Sequence, residues 1–196
     1  MPPANEDMPP AGYKLVHRLN MTSGRAMIWL NVAATLIFVA ALSMVFASLL
    51  LYARQGSPWV LPDQPVALPL ASYFLMLAAT LVLHEAMHGL AMLIFGKRPR
   101  FGARLTRLVL YTTSDAYFPR TEYLIVTLAP LVVLSLLGLS GMLLMPQGVA
   151  IWVGIMVAMN TASSVGDLWM AGVIVRFPGE TLFRDEADGM SVYLPD

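Results

Sequence analysis

The chain has 196 residues, of which 58% are hydrophobic and 12% charged, with no net charge and no cysteine. A soluble domain carries about 25% charged residues, so this composition points to a membrane protein, while the balanced charge offers nothing to a nucleic acid. The missing cysteines exclude disulfides and thiolate metal sites.

Residues 1–25 are polar, with Lys14, Arg18 and Arg25 among them, and read as an N-terminal arm. The apolar run that follows is too long for a signal-peptide core and reads as an uncleaved span. The expected fold is an all-α integral membrane domain over 26–176. Its four transmembrane helices fall at about 26–52, 68–95, 122–145 and 148–176, each long enough for the roughly 20 residues a crossing needs. The first ends in aromatics at Trp29 and Tyr52, suited to the membrane interfaces. Between spans one and two, Arg54-Gln55-Gly56-Ser57-Pro58-Trp59 and Pro62, Pro65 and Pro69 make an irregular loop, and Pro69 can start the second helix. Pro130 lies inside the third span, where a proline is expected to kink it. Met145-Pro146-Gln147-Gly148 reads as a tight turn that makes spans three and four antiparallel neighbours.

The loop at 96–121 mixes Phe101, Leu105, Leu108, Val109, Leu110 and Tyr111 with arginine and threonine. It reads either as a short β-hairpin dipping toward the membrane face or as a surface loop held by basic residues to anionic lipid. In the tail, 177–196, Phe177-Pro178-Gly179 stops a helix and Asp188-Gly189 makes a turn before Val192-Tyr193-Leu194. With four crossings, eleven of the twelve Lys and Arg residues lie on one side. By the positive-inside rule that side is the cytoplasm, and both termini are there.

The second span contains His84-Glu85-Ala86-Met87-His88-Gly89. Two histidines four apart on a helix leave the same face about one turn apart, which suits two ligands of one zinc ion. Glu85 points roughly 100° away, within reach of a zinc-activated water as its general base. Only Glu85 and Asp167 among the acidic residues sit deep in a span, with His84 and His88. Ionisable groups are costly in hydrocarbon and mark a functional site or a pair. Counted from the cytoplasmic ends of spans two and four, His88 and Asp167 both lie roughly 10–14 Å deep. A site of His84, His88, Asp167 and one water would leave the open position catalytic zinc requires.

Asn160, Ser163, Ser164 and Asp167 share one face of span four. Ala150, Gly154, Ala158, Ala162 and Gly166 form a small-residue ridge for close packing, expected to help hold the polar face against span two. Asn160, Thr80 and Ser164 are candidates for contacting substrate or supporting the ligands. Asn160 reads equally as a hydrogen-bond partner of substrate and as a link between helices. Asp167 could also simply pair with a protonated histidine.

On these residues the chain resembles the putative zincin peptidase family of small bacterial membrane proteins, which is related to site-2 intramembrane metalloproteases. The resemblance covers most of residues 70–193. It rests on His84-Glu85-x-x-His88-Gly89, Tyr111-Thr112-Thr113-Ser114, Leu128-Ala129-Pro130, and Asn160 with Ser164-x-Gly166-Asp167-Leu168. It implies a three-helix core, with His84, His88 and Asp167 as zinc ligands and Glu85 as the base. The expected function is a zinc metallopeptidase acting on membrane proteins or peptides in the bacterial inner membrane. Two rivals stay open. One is a non-catalytic membrane protein with a structural or sensing zinc site. The other is a small metal or proton transporter.

Overall fold

A computed structural model of the chain describes residues 10–54, 70–104, 109–145 and 147–196. The expectations for Trp59 and the prolines of the 55–69 loop, for Leu105, Arg107 and Leu108, and for Pro146 lie outside the described residues.

Long runs of Ala, Leu, Met and Val without an internal proline give two uninterrupted helices, α1 (Gly24–Arg54) and α2 (Leu70–Ile94). The third apolar stretch is α3 (Arg120–Ala129), a π-helical turn (Pro130–Leu134) and α4 (Ser135–Leu144). Proline has no N–H to bond the carbonyl four residues before it, and the regular ladder gives way where Pro130 stands. The fourth stretch was expected as one helix. It is two, α5 (Gln147–Ser163) and α6 (Val165–Ile174), bent by 43° at Ser164. The break gathers donors on one carbonyl: the Ser164 N–H, the Ser164 Oγ and the Ser163 Oγ all donate to the Asn160 oxygen.

Three helical stretches are long and apolar enough to cross a membrane, and the bent α5–α6 pair makes a fourth if it counts as one span. Large apolar side chains such as Leu36, Val39, Phe46, Leu137 and Leu144 stand exposed along them. A continuous apolar belt of this kind suits lipid rather than water. The protein is a membrane protein.

The all-α expectation fails at one end of the bundle. There β1 (Tyr13–Asn20), β4 (Tyr117–Pro119), β5 (Leu182–Glu186) and β6 (Gly189–Pro195) form an antiparallel sheet in the order β1-β6-β5-β4. The first and last of the described strands pair directly, Tyr13 opposite Pro195 and Asn20 opposite Gly189. The expected turn at Asp188-Gly189 joins β5 to β6. A second, two-stranded sheet lies in the connection between α2 and α3, with β2 (Arg100–Arg104) antiparallel to β3 (Val109–Thr113). It packs on α2. Phe101 fills the space beside Gly89, where a Cβ would fall 2.4 Å from its ring.

The core lies beneath the four-stranded sheet. Phe118, Phe183, Met190 and Val192 meet Met92 of α2, Tyr123 and Val126 of α3, and Met170 and Ile174 of α6. Burying each large side chain contributes about 1.5–3 kcal/mol. The small-residue ridge of α5 faces α1 rather than α2, since a Cβ on Gly154 would meet Val45 Cγ1 at 2.5 Å. With that face taken by α1, the neighbouring polar face is left for α2.

Candidate metal centre

His84 and His88 come from successive turns of α2, and Asp167 from the first turn of α6. All three are buried. His84 Nε2 lies 3.1 Å from Asp167 Oδ2, and His88 Nε2 lies 3.4 Å from Asp167 Oδ1. The three candidate ligand atoms fall within 4.8 Å of one another.

The far nitrogens of the two imidazoles decide which face of each ring can act as a ligand. Asn160 donates from Nδ2 to the Pro130 carbonyl (3.1 Å), so its Oδ1 faces His84 Nδ1 (3.0 Å) and can only accept. His84 therefore carries a proton on Nδ1, and the Ser163 Oγ lies 3.3 Å from the same nitrogen. His88 Nδ1 donates to the Val126 carbonyl at 2.9 Å. That carbonyl stands four residues before Pro130, which has no N–H to return to it. In the neutral tautomers both Nε2 atoms then present lone pairs toward the Asp167 carboxylate, and Asp167 Oδ2 is buried with no hydrogen-bond partner.

Three acceptors facing one point, with their protons on the far side, suit a cation. The donor set of two imidazoles and a carboxylate is one that zinc takes. Zinc–ligand bonds of 2.0–2.2 Å in a tetrahedron put ligand atoms about 3.3–3.6 Å apart; the two histidine nitrogens lie 3.1 and 3.4 Å from the two oxygens of Asp167, a spacing of that order. The residues fit a zinc ion. Orientation of each histidine through its second nitrogen is the usual arrangement in such sites.

Beside this trio lies a cavity of about 150 Å³, lined by Glu85, His88 and Asp167 on the helix side. Thr112 of β3 and the β5–β6 turn close its other walls. Glu85 is half-buried there, and its backbone carbonyl accepts from Thr112 Oγ1 at 3.0 Å, which ties β3 to the helix at the motif. Asp185, at the end of β5, accepts from the Tyr123 hydroxyl at 3.1 Å, and burial pushes its carboxyl up to about 7.

Of the candidate residues, His84, His88, Asp167 and Asn160 come together, and Glu85 lies at the adjoining cavity. Among the described residues, Thr80 makes no hydrogen bond to this group and gives its proton to the Met76 carbonyl, and Ser164 reaches only the Asn160 backbone carbonyl and none of the candidate ligands. The Val126 carbonyl, Thr112, Tyr123 and Asp185 were not foreseen. For Val126 a signal exists, because Pro130 releases the carbonyl four positions before it. Asp185 stands in the acidic stretch Asp185-Glu186-Ala187-Asp188, and nothing local distinguishes it.

No curated protein and no solved structure matches the chain. A family model described as "Putative zincin peptidase" matches residues 77–182, more than half of the chain and all of the residues that build the centre. The chain belongs to that zincin peptidase family.

Proposed function

We propose that the protein is a membrane-embedded zinc metallopeptidase that hydrolyses peptide bonds of membrane-associated substrates, with Glu85 as general base. The observation that carries this reading is the convergence of His84 Nε2, His88 Nε2 and the Asp167 carboxylate, each imidazole oriented through its Nδ1, beside a cavity that Glu85 lines. Zinc held there would polarise the scissile carbonyl and make a water acidic enough to attack at neutral pH. Glu85 takes the proton from the attacking water and passes it to the leaving amine.

The carbonyls of a helical substrate are tied up in its own hydrogen bonds, so the segment to be cut must first be extended. Among the described residues the β2–β3 sheet has two strands, so β3 has an edge without a described partner, and its Thr112 lines the cavity. An extended substrate segment pairing with β3 would lie along the cavity wall. Pairing of β1 with β6 keeps both terminal segments at one end of the helices. This supports an even number of crossings, hence four, and the basic residues support a cytoplasmic setting for that end, in keeping with a bacterial inner-membrane protein.

The test is hydrolysis of candidate membrane peptides by zinc-loaded protein in liposomes, read by mass spectrometry. Wild type should cut, and Glu85→Gln should keep its zinc while slowing turnover by about 10²- to 10⁴-fold. Equal turnover by Glu85→Gln would contradict the reading. Metal uptake into the liposomes without hydrolysis would favour transport instead.

A further inference from the structure

Thr127 stands one residue beyond the carbonyl that holds His88. It is 1% exposed and lines the cavity shared by Glu85, His88 and Asp167. Its Oγ1 is buried without a hydrogen-bond partner among the described residues. Other threonines in these helices behave differently. Thr35, Thr80 and Thr161 each donate to the carbonyl four residues earlier, all at 2.8 Å. Thr127 has the same option at the Tyr123 carbonyl and does not take it. A buried hydroxyl with no partner costs folding free energy, and such groups in native proteins call for an explanation.

The neighbours narrow what that explanation can be. Thr112 has given its proton to the Glu85 carbonyl and Tyr123 has given its own to Asp185. Glu85 and Asp167 offer acceptors at the same cavity. Cleavage of a peptide bond builds negative charge on the carbonyl oxygen, and a buried donor already in place at that oxygen is among the larger contributions a protein can make. We propose that Thr127 donates a hydrogen bond to the carbonyl oxygen of the peptide bond being cut. The inference rests on the peptidase reading above and adds a residue that contacts the reacting atoms.

The experiment compares Thr127→Val, Thr127→Ser and Glu85→Gln with wild type as full-length, zinc-loaded proteins in liposomes. It measures melting temperature, zinc content, and kcat and KM on a peptide that the wild type cleaves. Valine keeps the shape and removes the hydroxyl. Thr127→Val should melt at or above the wild-type temperature and keep its zinc. Its KM should stay within about twofold, and its kcat should fall on the order of 10²-fold. Thr127→Ser should recover most of the rate. A lower melting temperature or lost zinc in Thr127→Val would show a structural partner for the hydroxyl and overturn the proposal. So would an unchanged kcat while Glu85→Gln is slow, and the peptidase reading would then stand alone. Failure of wild type to cleave, or full turnover by Glu85→Gln, would remove that reading and this proposal with it.

Discussion

Under the four-stranded sheet, Phe118, Phe183, Met190 and Val192 are fully buried against α2, α3 and α6. At the other end of the bundle α4 buries none of its residues, and Leu137 and Leu144 stand 65% and 85% exposed. An apolar cavity of about 520 Å³ there is lined by residues of α1, α4 and α5. One end is packed like the interior of a soluble domain, where side chains fill space closely. The other leaves its apolar surface to lipid. The three candidate ligands and Glu85 belong to the packed end. Ligands must be held close to their working geometry, and only that end surrounds them with fixed neighbours on several sides.

Truncation should expose this contrast most strongly at the sheet. Phe183 stacks on Tyr123 at 5.5 Å and meets Phe177 edge-on at 6.2 Å. Phe183→Ala should cost about 3–5 kcal/mol, read as the loss of folded protein in a denaturant titration in detergent. Next comes the support of the ligands. Asn160→Ala removes the acceptor at His84 Nδ1 and should weaken zinc binding about 10- to 100-fold in a competition titration with a chelator.

A pH scan reads the same end in another way. Burial raises the folded-state pKa of Asp185 from 3.8 to about 7. Between those values the folded chain keeps a proton that the unfolded chain has lost, so this group's contribution to stability is full below about pH 4 and is lost as pH rises toward 7. Asp185→Asn should flatten that part of the stability profile, and an unchanged profile would show that desolvation does not raise this carboxyl as described. The smallest effect belongs to the far end. Leu137→Ala should stay within about 0.5 kcal/mol of wild type, and a loss as large as that of Phe183→Ala would erase the distinction between the two regions.

The grouping of His84, His88 and Asp167 was legible in the sequence because its signals are local or metric. His84 and His88 share a helix face by spacing, and Asp167 matches their depth by counting residues from a helix end. The sheet was not legible in the same way. β1 reads Tyr-Lys-Leu-Val-His-Arg-Leu-Asn with only weak alternation, and its partner lies about 170 to 180 residues away, so no local pattern announces the pairing. The bend at Ser164 was hidden for a related reason. There is no proline at the break, and the cause is a set of serine hydrogen bonds to the Asn160 carbonyl that compete with the helix ladder. The small-residue ridge was seen, but periodicity alone cannot say which helix packs on it.

The most direct test of the account is the zinc content of detergent-purified protein, after zinc loading and removal of loosely held metal, beside His84→Ala and Asp167→Ala. The account predicts about one zinc per wild-type chain with nitrogen and oxygen ligands at about 2.0–2.2 Å in X-ray absorption, and little or none in either variant. Wild-type protein without zinc, or variants that hold it as well as wild type, would contradict it.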